Sequence, residues 1–212
     1  MRPKIKNPFF AFMDLLGDLV LLNLLFMLCS IPIFTIGTAF TALLDVELKL
    51  ATGEGPAIIR TYFASFRRNF ARTTPVFLML VLSGAILIFD IAVAAPSYPG
   101  FLGGVILTGG VAFLVPWLFA AVYLFPLLLL EKNRLIPTAR RALLLSAQKL
   151  PLTLALTAIV LMPFLVAYGM TALFLYILPF FAVVLIAAGT YAMTRIYMRV
   201  FDIRRLPDDE IH

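Results

Sequence analysis

The 17 lysines and arginines of this chain fall into four short stretches, Arg2 to Lys6, Lys49 to Arg72, Lys132 to Lys149 and Arg195 to Arg205. Long apolar tracts without a basic residue separate the later clusters. A bilayer accounts for this spacing and a soluble core does not. Cationic side chains are retained on the cytoplasmic side, while uncharged segments of ~20 residues fill the hydrocarbon. The expected fold is all-α, a polytopic transmembrane helix bundle with amphipathic helices lying in the cytoplasmic interface.

Composition agrees. The chain is 63% hydrophobic and 13% charged, against about 25% charged in soluble domains. A net charge of +6 would raise the question of nucleic acid in a soluble protein. Here the basic residues flank apolar spans, so they read as orientation determinants and anionic-lipid contacts, and the expected partner is the lipid bilayer. Cys29 is the only cysteine, which excludes an intrachain disulfide and a multi-cysteine metal site. Residues 1 to 34 mimic a signal peptide, but the apolar stretch is long and no small-x-small site follows it, so it reads as a retained first span.

Along the chain, Phe9 to Ile33 makes a first apolar helix, interrupted at Pro32, Thr35 and Gly37, and a shorter segment runs from Ile36 to about Leu50. Thr73 to Ala94 is long enough to cross, and Ala95 to Gly100 is a turn. Phe101 to Leu130 is an unbroken apolar run in which Pro116 or Pro126 predicts a kink. Leu152 to Thr194 must fold back, near Tyr168-Gly169 or near Pro179. With all basic clusters cytoplasmic, six crossings are favoured over five, and both termini are cytoplasmic. Residues 1–206 then form a single membrane domain and 207–212 a solvated tail. A faint repeat lays Arg60 on Arg140.

Within Ala57 to Arg72, Ile59, Phe63, Phe66 and Phe70 share one narrow arc at ~100° per residue, with Arg67, Arg68 and Arg72 off it. The segment is expected to lie flat in the interface, as a lipid anchor or as a docking face for a partner. Arg134 to Leu150, with Arg140 and Arg141, is a weaker copy. Asp18, Asn23 and Asp90 are the intramembrane polar groups that most need explaining, since a charge at mid-bilayer costs ~2.5–3.5 kcal/mol. Asp14 and Asp18 share a helix face that could pair with Arg60 or Arg67. Asp18 and Asp90 could instead relay an ion or proton, and Asn23 suits an interhelical hydrogen bond. Gly100, Gly104, Thr108, Ala112, Pro116 and Ala120 recur every fourth residue, as helix packing within the bundle, a homo-oligomer interface or a pore wall would require.

No phosphate loop and no His-Glu-x-x-His sequence is present, and the only histidine is His212. Neither an enzyme nor a resident cofactor or metal is therefore expected.

The stretch Asn23-Leu-Leu-Phe-Met-Leu-Cys-Ser-Ile-Pro-Ile-Phe-Thr-Ile-Gly-Thr-Ala-Phe-Thr-Ala42, followed by Gly53-Glu-Gly, Arg60 and Tyr62 to Phe70, resembles the YesL-like family of uncharacterised bacterial integral membrane proteins. Members often carry Pro after the Gly of Thr-Ile-Gly, where this chain has Thr38. The resemblance implies a bacterial plasma-membrane location and a link to carbohydrate import, with no catalytic residue carried over. The expected function is a non-enzymatic accessory or assembly factor that docks onto a carbohydrate ABC transporter or another membrane complex. The alternative is an oligomeric transporter or channel for a small solute or ion.

Overall fold

The computed structural model describes residues 8–98, 100–131, 135–169 and 189–201, and every regular element among them is helical. The chain divides into two compact units, Met1–Phe70 with Ala158–His212, and Ala71–Thr157.

In the first unit, α1 (Pro8–Cys29) ends at Ser30-Ile31-Pro32, and a 3-10 turn (Ile33–Thr35) leads straight into α2 (Ile36–Ala51). Thr35 secures this corner: its hydroxyl lies 2.5 Å from the Cys29 carbonyl oxygen and 2.6 Å from that of Pro32. It thus offers a donor to a carbonyl at the end of α1 that has no partner within the helix. After α2 the backbone reverses through Gly53 (φ 82) and Gly55 (φ 59), a region costly for any residue with a Cβ. Helix α3 (Ile58–Phe89) starts here and continues into the second unit. Leu22 and Leu25 of α1, Ala42, Leu43 and Val46 of α2, and Ile58 and Tyr62 of α3 form the core. A further helix, α8, spans residues 189–200.

In the second unit, α3 runs on through Pro75 to Phe89 and widens into a π-helical turn, Asp90–Ala94, before the short α4 (Ala95–Ser97). Gly100, at φ 77, opens α5 (Phe101–Leu130), which passes Pro116 and Pro126 without interruption. Then come α6 (Leu135–Gln148) and the start of α7 (Leu150–Gly169), which passes into the first unit at Ala158, with a bend of 106° between α6 and the Leu150–Met162 part of α7. Thr153 clasps that bend. Its buried hydroxyl lies 3.0 Å from the carbonyl oxygens of both Ser146 and Lys149, and 3.1 Å from the Tyr123 hydroxyl of α5.

Among the described residues two helices, Ile58–Ser97 counted through the π turn and Phe101–Leu130, are long and apolar enough to cross a membrane. There are up to three if the bent pair α6 and α7 is one span. Leu78, Met79, Leu82, Ile86, Ile88 and Phe89 are exposed along α3. A continuous apolar surface of this kind belongs against lipid, which points to a membrane location.

Two boundaries differ from the sequence expectation. The basic segment 57–72 is not a separate helix, since α3 runs unbroken from Ile58 past Thr73, Thr74 and Pro75 to Phe89. The turn expected at Ala95 to Gly100 is shorter, since the helix carries through Ser97. Helix α7 runs as far as Gly169, and the turn expected near Tyr168-Gly169 or near Pro179 falls where the residues that follow, 170–188, lie outside the described ones. Pro179, Lys132 and the tail 207–212 lie outside the described residues.

Candidate functional site

The first unit buries an unusual number of polar groups around α2. Thr38, Thr41 and Glu47 have no exposed surface, and Asp45 is 5% exposed. Asp45 and Glu47 are two residues apart, about 200° around the helix, and they meet opposite environments. The Asp45 carboxylate faces cations, with Arg68 Nη2 of α3 at 3.1 Å and Lys49 Nζ, one turn along α2, at 3.5 Å.

Glu47 faces hydroxyls. Its Oε1 lies 2.7 Å from the Thr190 hydroxyl and its Oε2 2.7 Å from that of Thr194. The two threonines are one turn apart, so α8 presents both from a single face. Among the described residues no lysine or arginine pairs with Glu47. A charge desolvated without a counter-charge costs several kcal/mol, and neutral hydroxyls do not replace one. The arrangement therefore holds a carboxyl with its hydrogen bonds met and no positive charge beside it.

Tyr62 links α3 to the same region. It is fully buried, and its hydroxyl donates to the Ala39 carbonyl of α2 at 3.3 Å. With Ile58, Ser65 and Asn69 it forms the buried face of the first part of α3. The aromatic arc expected from the sequence is offset from this face. Ile59, Phe63 and Phe70 remain 53%, 39% and 38% exposed, and Phe66 is half-buried against the core.

The expected basic residues have distinct settings. Arg60 and Arg67 are exposed, and neither pairs with Asp14 or Asp18 among the described residues. Arg68 pairs with a carboxylate, that of Asp45. Arg72 is half-buried in the second unit and donates from Nη1 to the Leu128 carbonyl at 3.3 Å, in the last turn of α5, where backbone carbonyls need outside donors. Arg141 pairs with Glu131 at 2.6 Å, while Arg140 is exposed.

Asp18 and Asn23 are buried in the first unit. Asp90 is half-buried in the second, as the first residue of the π turn. Gly100, Gly104, Thr108 and Ala112 are exposed along α5, and a Cβ on Gly104 would meet nothing within 4 Å. On α5 the close approaches fall instead on Gly103, against the Ala95 and Tyr98 carbonyls, and on Gly110, against Ile91.

Glu47, Asp45, Tyr62, Thr190 and Thr194 were not singled out by the sequence reading. The available signal was three charges, Asp45, Glu47 and Lys49, on an otherwise apolar helix. Among the described residues no group of three or more His, Cys, Asp or Glu side chains could hold a metal ion.

No curated protein and no solved structure matches the chain. Residues 19–91, which run from α1 into the π turn and include Asp45, Glu47 and Tyr62, match the family described as Protein of unknown function, DUF624.

Proposed function

We propose that this is a non-enzymatic integral membrane protein of the bacterial plasma membrane, an accessory or assembly factor that recruits a membrane complex through the first turns of α3. The observation that supports this is the division of that segment into two faces. Ile58, Tyr62, Ser65 and Asn69 are buried, while Ile59, Phe63 and Phe70 stay exposed beside Arg60 and Arg67. A rigid aromatic patch bordered by cations, held by a buried opposite face, suits an acidic-rimmed protein surface. Six crossings with both termini cytoplasmic would put this patch on the cytoplasmic side. The association with carbohydrate uptake rests on the family resemblance of residues 23–70. The test is purification in mild detergent with identification of what accompanies the chain. A stoichiometric transporter subunit supports the proposal, and its retention by a Phe63→Ser/Phe70→Ser variant argues against the α3 face.

A second reading, a conduit for a small solute or ion, is supported by the buried polar groups Asn23, Thr38, Thr41 and Glu47 in the first unit. It predicts flux in proteoliposomes that Asp18→Asn or Glu47→Gln reduces. An absence of flux for a panel of sugars and ions counts against it.

A further inference from the structure

Glu47 plays no part in the docking reading. It is fully buried, both carboxyl oxygens are engaged by hydroxyls, and those hydroxyls belong to a helix 143 and 147 residues away in sequence. We propose that the Glu47 carboxyl is a proton-binding site, and that loss of its proton releases α8 from α2. The idea does not depend on what the α3 face recruits.

The surrounding charges are committed elsewhere. On α2, Asp45 pairs with Lys49 and with Arg68 of α3. On α8, the Arg195 guanidinium sits over the Tyr191 ring, 5.3 Å from its centroid, and Arg199 is exposed. Tyr197 is buried against Phe201 with ring centroids 6.3 Å apart. On α1, Asp14 is exposed and Asp18 buried, and Cys29 is half-buried; Tyr62 of α3 bonds Ala39. None of these groups pairs with Glu47.

The neutral acid suits the site. In the neutral acid one carboxyl oxygen carries the proton and the threonine hydroxyl facing it turns from donor to acceptor, while the other oxygen keeps accepting from the second threonine. Transfer of the proton to water or a buffer base leaves a carboxylate with two neutral donors in a dry interior. That state is relieved when water reaches it, and water reaches Glu47 only if the contact between α2 and α8 opens. The contact is therefore complete at low pH and lost as pH rises through the site's titration.

The test uses the full chain in lipid nanodiscs between about pH 5 and about pH 9, which spans ordinary carboxyl groups and strongly desolvated ones. Infrared difference spectra are expected to show a protonated-carboxyl band that disappears as pH rises. The band should move when glutamate carries a heavy carboxyl carbon, stay when aspartate does, and be absent from E47Q. Spin labels at Ala51→Cys and Ala192→Cys, in a Cys29→Ser background, should separate over the same pH range and stay in place in E47Q. Absence of the glutamate-edited band overturns the proposal, as does a band that titrates at constant label distance or a distance change that persists in E47Q. Should E47Q fail to fold, isotope editing and the label distance on the chain with Glu47 intact decide the matter, because both must titrate together.

Discussion

Trp117 lies across Gly84 so closely that a methyl group on this glycine would sit 2.6 Å from the indole Cη2 and 2.7 Å from Cζ2. The indole is fixed by its own Nε1–H, which donates to Ser83 Oγ at 2.9 Å, so it has little freedom to give way. Gly84→Ala should destabilise the protein by about 1–3 kcal/mol from overpacking, less the ~0.5–1 kcal/mol that alanine gains over glycine in a helix. Gly104→Ala, with open space around it, should be neutral or slightly stabilising. Thermal unfolding of both variants in one detergent checks the contrast.

Tyr62→Phe should cost about 0.5–1.5 kcal/mol, because it removes the hydroxyl, with its hydrogen bond to the Ala39 carbonyl and its contact with the Cys29 thiol, and keeps the ring. Tyr62→Ala should cost about 3–5 kcal/mol, because it also empties the place the ring fills beside Leu22, Ala42 and Val46. Equal losses in the two variants would show that the hydroxyl, and not the packing, ties α3 to α2.

Asp45 and Arg68 form an unequal pair, with side-chain exposures of 7% and 50%. Arg68→Ala should cost under about 1 kcal/mol, since its guanidinium returns to solvent and Lys49 still faces Asp45. Asp45→Ala should cost about 1–3 kcal/mol by leaving two cations without their shared acceptor. A denaturation series on the single and double variants measures the coupling.

Thr153→Val keeps the volume and removes the hydroxyl that holds the bend between α6 and α7. A loss of about 1–3 kcal/mol is expected, together with a wider spin-label distance between α6 and α7. An unchanged distance would mean that apolar contacts alone maintain the bend.

Phe63→Ser with Phe70→Ser should leave thermal stability within about 1 kcal/mol, because both rings are more than a third exposed. The same double substitution should abolish partner co-purification. Loss of stability without loss of the partner would reverse the roles assigned to the two faces of α3.

Several elements were legible because local chemistry marks their ends. Helix α5 begins after Gly100 and stops before Glu131, as the apolar run implied, and α2 starts at Ile36 after the break at Pro32. The first part of α3 was placed as a helix, with its aromatic arc expected to face lipid or a partner. Which residues pack on the other side, Tyr62, Ser65 and Asn69, was not read from the sequence. Beside lipid, apolar side chains gain nothing from leaving the surface, and small or hydrogen-bonding groups carry helix contacts. On α5 Gly103 and Gly110, and not the stripe through Gly104, make the close approaches, which the spacing of small residues alone did not distinguish. Glu47 was hidden for another reason. Its partners are 143 residues or more away, and no periodicity in one segment records an acceptor supplied by another.

The π turn at Asp90–Ala94 holds one residue more than an α-helical turn would need. That extra residue acts as a phase adjuster: it rotates all that follows by roughly 100° relative to an uninterrupted helix. Ile91 thereby reaches Gly110, and Ala95 reaches Gly103. Removing a single residue here would leave the hydrophobic content almost unchanged while turning the wrong side chains toward α5. The spacing of this short segment, more than its composition, determines whether the outgoing and returning helices mesh.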